Sequence, residues 1–170
     1  MEYTSAEADK LLRKLNEEKS QLESMEQRSS LFNAALGEDV ESVRPEYDYA
    51  DVQQRLIELD EKIRTVKHAI NLFNVTQVVP GFEMTIDQML IFIPQLSARK
   101  RKLQEMSMHI PKERESINGF GKASSVIDYR YTNYEISQVK KDLQEVSELL
   151  SKAQTALDVV NNTEKMKIEI

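Results

Sequence analysis

Residues Ile136 to Val160 read ISQVKKDLQEVSELLSKAQTALDVV, and a single apolar ridge runs through them: Ile136, Val139, Leu143, Val146, Leu150, Ala153, Leu157 and Val160. The steps alternate between three and four residues without a miss. That spacing keeps one stripe of a helix turned toward a neighbouring helix along its whole length. A second ridge of the same kind passes through Val52, Leu56, Leu59, Ile63, Val66, Ile70 and Phe73. Two such ridges predict long rods lying side by side. They speak to architecture and hardly at all to chemistry.

Composition agrees. The chain has 170 residues, 40% of them apolar and 31% charged, which suits helices that hide one stripe and expose the rest. Four Gly and four Pro are few for this length, and uninterrupted helices follow. A net charge of −6 disfavours nonspecific attraction to nucleic acid or anionic lipid. The absence of Cys excludes disulfides, thiolate metal sites and cysteine nucleophiles. Met1-Glu2-Tyr3-Thr4 carries neither a basic patch nor an apolar run, so no signal peptide is expected. The most apolar window, Met89 to Leu96, is too short for a membrane span and contains Pro94. The expectation is a soluble, cytoplasmic protein with a membrane partner disfavoured.

Four helices are expected within one elongated domain. The first covers about 5–36, with Ser5 as N-cap, Gly37 as C-cap glycine, and Glu18 and Ser29 as polar interruptions of its seam. Gly37 to Tyr49 is acidic, holds Pro45 and lacks periodicity, which reads as a connecting loop. The second helix covers about 50–77 and is ended by Val78-Val79-Pro80-Gly81. Thr85 and Gln88 have the spacing of a capping box, opening a third helix over about 86–108 that Pro94 should kink or split. Ile117–Gly121 and Val126–Tyr131 carry strand-forming content, so a β-hairpin is expected at about 116–131, turning near Gly121 to Ser125. Thr132 and Glu135 again have capping-box spacing and open a fourth helix over about 133–161. The tail alternates with period two, which predicts a short strand at about 165–170 that joins the hairpin. The fold class is mostly α: a long antiparallel coiled-coil-like helical bundle with a small β-hairpin.

Ile70-Asn71-Leu72-Phe73-Asn74-Val75-Thr76, Met84-Thr85-Ile86 before the third helix, and Tyr129 to Glu135 before a closing helix that holds Gln154-Thr155-Ala156-Leu157-Asp158 and Asn161 together resemble a bacterial family often labelled septicolysin-like. The resemblance spans roughly 52–162. It implies a helical fold and, from the family label, a membrane-active, haemolysin-like role. Phe73 stands where the family's asparagine motif has Thr, and Phe92-Ile93-Pro94 replaces an Arg-rich helix start.

Asn71 and Asn74 lie three apart on the second helix and share one face; they either hold a partner or cap nearby carbonyls. Arg99-Lys100-Arg101-Lys102 spreads around a helix, so a solvated face paired with the Glu-rich first and second helices is favoured over phosphate binding. No aromatic side chains are interleaved with it, as a nucleic-acid reader would need. Tyr129 and Tyr131 share a strand face with Tyr134 close by, offering either a contact surface or packing on the helices. Arg99, Arg101, Asn71, Asn74, Tyr129, Tyr131 and Tyr134 are therefore the interaction candidates. His68 and His109 have no second ligand at metal-binding spacing, and Ser124-Ser125 lack a nucleophile elbow. No catalytic, cofactor or metal site is expected. The two ridges carry more apolar stripe than a thin monomer covers, which predicts a scaffold or interaction protein that forms a homo-oligomer.

Overall fold

A computed structural model of the chain describes residues 1–114 and 128–170. The described chain is mostly helical, with three small two-stranded antiparallel sheets. It divides into two compact units, one of residues 1–77 and 158–170, the other of residues 78–157.

In the first unit, strand β1 (Glu2–Thr4) leads into helix α1 (Ser5–Ser29). The N-cap is Thr4, one residue before the expected Ser5: its hydroxyl accepts from the Glu7 amide while the Glu7 carboxylate accepts from the Thr4 amide at 2.8 Å. The reciprocal pair satisfies donors that no helical carbonyl can reach, and it holds the Glu7 carboxyl below the usual carboxylate range. Helix α1 stops at Ser29, seven residues short of expectation, where Ser29 and Ser30 offer hydroxyls that compete for backbone bonds. Gly37 is consequently no helix cap. It occupies the left-handed region at φ 89° in a separate turn that is closed by the Glu38 amide donating to the Ala35 carbonyl. The expected loop also contains a single helical turn, α2 (Val40–Val43), capped by Asp39.

Helix α3 (Tyr49–Thr76) follows, capped by the Asp48 carboxylate, which accepts from the amides of Ala50 and Asp51. Lys19 of α1 reaches Asp60 at 2.6 Å, and Glu26 accepts from Gln53 at 2.8 Å. As the α1 position rises from 19 to 26, its α3 partner falls from 60 to 53, so the two helices run antiparallel. The α3 ridge is buried or half-buried at every expected position, with Val66 wholly inside. On α1 the expectation fails at Glu18, which is exposed while Leu15 and Leu22 are buried. Its long side chain reaches water, and the neighbouring Lys19 makes the ion pair to α3. The tail forms β6 (Lys165–Lys167) and pairs with β1, Tyr3 opposite Met166. The tail thus joins β1 and not the hairpin.

In the second unit, β2 (Val78–Val79) and β3 (Met84–Thr85) form a tight hairpin that the sequence reading treats only as a helix stop. Gly81 has φ 81°, and the Phe82 amide donates to the Val79 carbonyl. With Pro80 before it, this is the arrangement a type II turn requires. Thr85 and Gln88 form the expected capping box, and α4 (Ile86–Ser107) runs unbroken through Pro94. The carbonyl that loses its partner belongs to Leu90, on an exposed part of the helix, where water can satisfy it. The ladder β4 (Lys112–Arg114) with β5 (Tyr129–Tyr131) follows. Tyr129–Tyr131 is thus a strand as expected, but its partner is Lys112–Arg114; the strand expected at Ile117–Gly121 and the turn near Gly121 to Ser125 lie outside the described residues.

Helix α5 (Ile136–Thr163) begins three residues later than expected. Thr132 is therefore not its cap, and the Thr132 amide donates to the Pro111 carbonyl at 3.3 Å. Every position of the α5 ridge is buried or half-buried, from Val139 through Ala153 to Val160.

Candidate functional site

Each unit holds one hollow worth describing. In the first, positions Thr65, His68, Leu72 and Thr76 recur at three- and four-residue steps and so present one face of α3, with Phe73 beside them. Together with Met166 and Ile168 they line a mostly apolar groove of about 440 Å3. The Thr76 hydroxyl donates to the Leu72 carbonyl at 2.7 Å, which occupies its proton. His68 is exposed at the rim. Lys167 and Glu169 pair with each other at 2.6 Å, both well exposed. Such a groove can bury an apolar side chain.

The second hollow, about 310 Å3, is lined by residues that include His109, Glu113, Arg130, Tyr131 and Tyr134. The Tyr134 hydroxyl donates to the Met106 carbonyl at 2.9 Å and lies 2.7 Å from His109 Nδ1. A hydroxyl has one proton to give, so His109 Nδ1 must be the donor in that contact. A neutral His109 then keeps its lone pair on Nε2. Glu113 stands opposite Arg130 in the ladder, so acid and base are set against each other rather than concentrated. The ring of His109 is oriented, but a fixed ring alone is not a catalytic set.

The candidates that the sequence suggested fall on different elements. Asn71 is exposed and Asn74 half-buried on α3, and neither lines the groove beside them. Tyr129 and Tyr131 share a strand face as expected, yet both are exposed rather than packed on helices, Tyr131 at 62%. The Lys112 ammonium lies over both rings, 4.1 Å from Tyr129 and 5.5 Å from Tyr131. That is a cross-strand cation–π arrangement. Tyr134 is half-buried and serves the His109 bond. Arg99 and Arg101 are exposed on α4 with Lys102, while Lys100 is half-buried. No ion pair joins any of these four to a described residue of their own unit.

Sequence reasoning missed both hollows for one reason. His109 and Tyr134 are 25 residues apart, and the groove joins positions 65–76 to 166–169. Spacing along one helix cannot reveal such pairs. Among the described residues no group of three or more His, Asp or Glu side chains is placed to hold a metal ion. No described helix is long and apolar enough to cross a membrane.

No family model matches the chain, and no curated protein matches it. A solved structure is similar: a functionally unknown conserved protein from Corynebacterium diphtheriae, 12% identical, aligned over 98% of this chain and 100% of that one with a TM-score of 0.57. At that identity the likeness shows a shared fold and nothing of activity.

Proposed function

We propose that this chain is a protein-interaction or scaffold protein that associates with copies of itself, its long helices forming a coiled-coil-like bundle. The observation that carries the reading is the apolar surface left over once both ridges are covered. Ile57 and Leu72 on α3 are 61% and 54% exposed, and Leu90 and Ile91 on α4 are 50% and 58% exposed. Large aliphatic side chains exposed outside the seams gain free energy when a second surface covers them. A helix that buries its ridge within one chain leaves exposed positions outside that ridge, such as these, for a partner, so the contact runs through outer surfaces and not through the ridges.

Equilibrium sedimentation tests the reading directly. A mass above that of one chain at micromolar concentration is expected, and a single monomeric species throughout that range would refute it. The resemblance to the septicolysin-like family supplies a second reading, a membrane-active protein. Release of dye from vesicles by the monomer would favour it over self-association.

A further inference from the structure

Residues 38–51 hold six carboxylates against one guanidinium, although the chain as a whole is only modestly acidic. The one cation is already committed. Arg44 donates to Glu41 through Nε at 3.0 Å and Nη2 at 2.7 Å, and its guanidinium lies 5.3 Å from the Phe32 ring centre. The carboxylates sit on an ordered backbone: Asp39 and Asp48 cap α2 and α3 through their side chains. Large apolar groups are exposed through and beside the same stretch, Leu31, Leu36, Val40 and Tyr49 among them, with Leu36 fully open to water. The bare apolar side chains gain free energy when covered, and the carboxylates beside them favour a cationic cover.

Arg99, Arg101 and Lys102 have the opposite character. Leu96 and Leu103 mark the buried side of that turn of α4; Arg101 and Lys102 lie away from it, and Arg99, three residues after Leu96, is exposed at its edge. They make this turn of α4 cationic over much of its exposed circumference, with no carboxylate among the described residues of their own unit paired to them. Exposed Leu90 and Ile91 precede that turn on the same helix.

We propose that the acidic segment 38–51 of one copy docks on the cationic turn Arg99–Lys102 of a second copy, giving a head-to-tail contact between unlike surfaces. The inference rests on the self-association proposed above and names the surfaces that perform it. Each surface matches the other in charge, and each has apolar side chains beside it to exclude water. Unlike surfaces make a heterologous contact, which closes into a ring or continues as a chain of copies.

The test uses two surface variants of the full chain, Arg99→Glu with Arg101→Glu, and Glu41→Lys with Glu46→Lys, each checked for unchanged helix content by circular dichroism. Wild type should form oligomers at about 0.1 M salt and dissociate at least roughly tenfold more readily at about 1 M, where screening acts within about 3 Å. Each variant alone should sediment as a monomer at low salt. An equal mixture of the two should associate again, because the intact acidic segment of one meets the intact cationic turn of the other. Oligomers that ignore both salt and charge reversal would overturn the inference and leave self-association standing. Variants that stay monomeric when mixed would also overturn it, since the charges would then act within one chain. A wild type that is monomeric at both salt concentrations would remove the underlying reading itself.

Discussion

Glu26 is the most heavily used carboxylate on α1. One of its oxygens accepts from both the Tyr47 hydroxyl and the Gln53 amide, each at 2.8 Å, and so ties α1 to the approach of α3 and to α3 itself. The hydrogen bond to Glu26, helped by burial and by the same negative charge, pushes the Tyr47 phenol up to about 12 from an ordinary 10.0. A phenol whose folded value exceeds its unfolded value stabilises the fold fully below about pH 10. That contribution is lost as pH rises through about 12, because the unfolded chain then binds fewer protons. Ultraviolet titration should accordingly show one of the six tyrosines ionising well after the others, and Tyr47→Phe should abolish the late component. Retention of that component in Tyr47→Phe would assign it to another tyrosine and refute the role given to Glu26. Neither bond was legible in the sequence. Tyr47 lies in a segment without periodicity, and 21 residues separate it from Glu26.

Along single elements, the ridges and capping boxes were readable and the ends of helices less so. Thr85 with Gln88 opens α4 where the spacing placed it, because a capping box is a contact within four consecutive residues. Thr132 with Glu135 has the same spacing, yet α5 starts at Ile136; the Thr132 amide continues the β4–β5 pairing with Pro111. Tertiary pairing overrode a local signal. Helix α4 shows how sharply burial separates neighbouring apolar residues. Met89 is completely buried and Ile91 is 58% exposed, though they stand two apart, on nearly opposite faces. Met89→Ala should cost about 2–5 kcal/mol, the usual range for opening a core cavity. Ile91→Ala should stay within about 0.5 kcal/mol, as surface changes do. Urea unfolding of both variants checks this, and equal costs would mean that the buried face of α4 is wrongly identified.

Over the whole molecule, the two ends of the chain meet. The Ile168 amide donates to the Met1 carbonyl at 2.9 Å, and the Met1 nitrogen donates to the Ile168 carbonyl at 3.0 Å. These bonds extend the β1–β6 ladder by one pair. They also carry Met166 and Ile168 into the interior, Ile168 to 1% exposure. A two-stranded ribbon is marginal by itself, so those side chains must supply much of what holds it. Ile168→Ala should lower the unfolding free energy by about 2–5 kcal/mol, and Ile168→Val by about 0.5–1.5 kcal/mol. A denaturation midpoint unchanged by both would show the terminal ladder to be ornamental.

From the sequence alone came the helices and the inward-facing positions of the two great ridges. A ridge is a local property: each residue's face follows from its distance along one helix, whatever else the chain does. Only the tertiary structure decided that the tail pairs with residues 2–4, that Glu18 yields its place at the seam to water, and that His109 meets Tyr134. Strands of two or three residues are too short to display a period, and partners separated by most of the chain leave no mark in spacing. Their positions follow from where the long helices carry the segments between them.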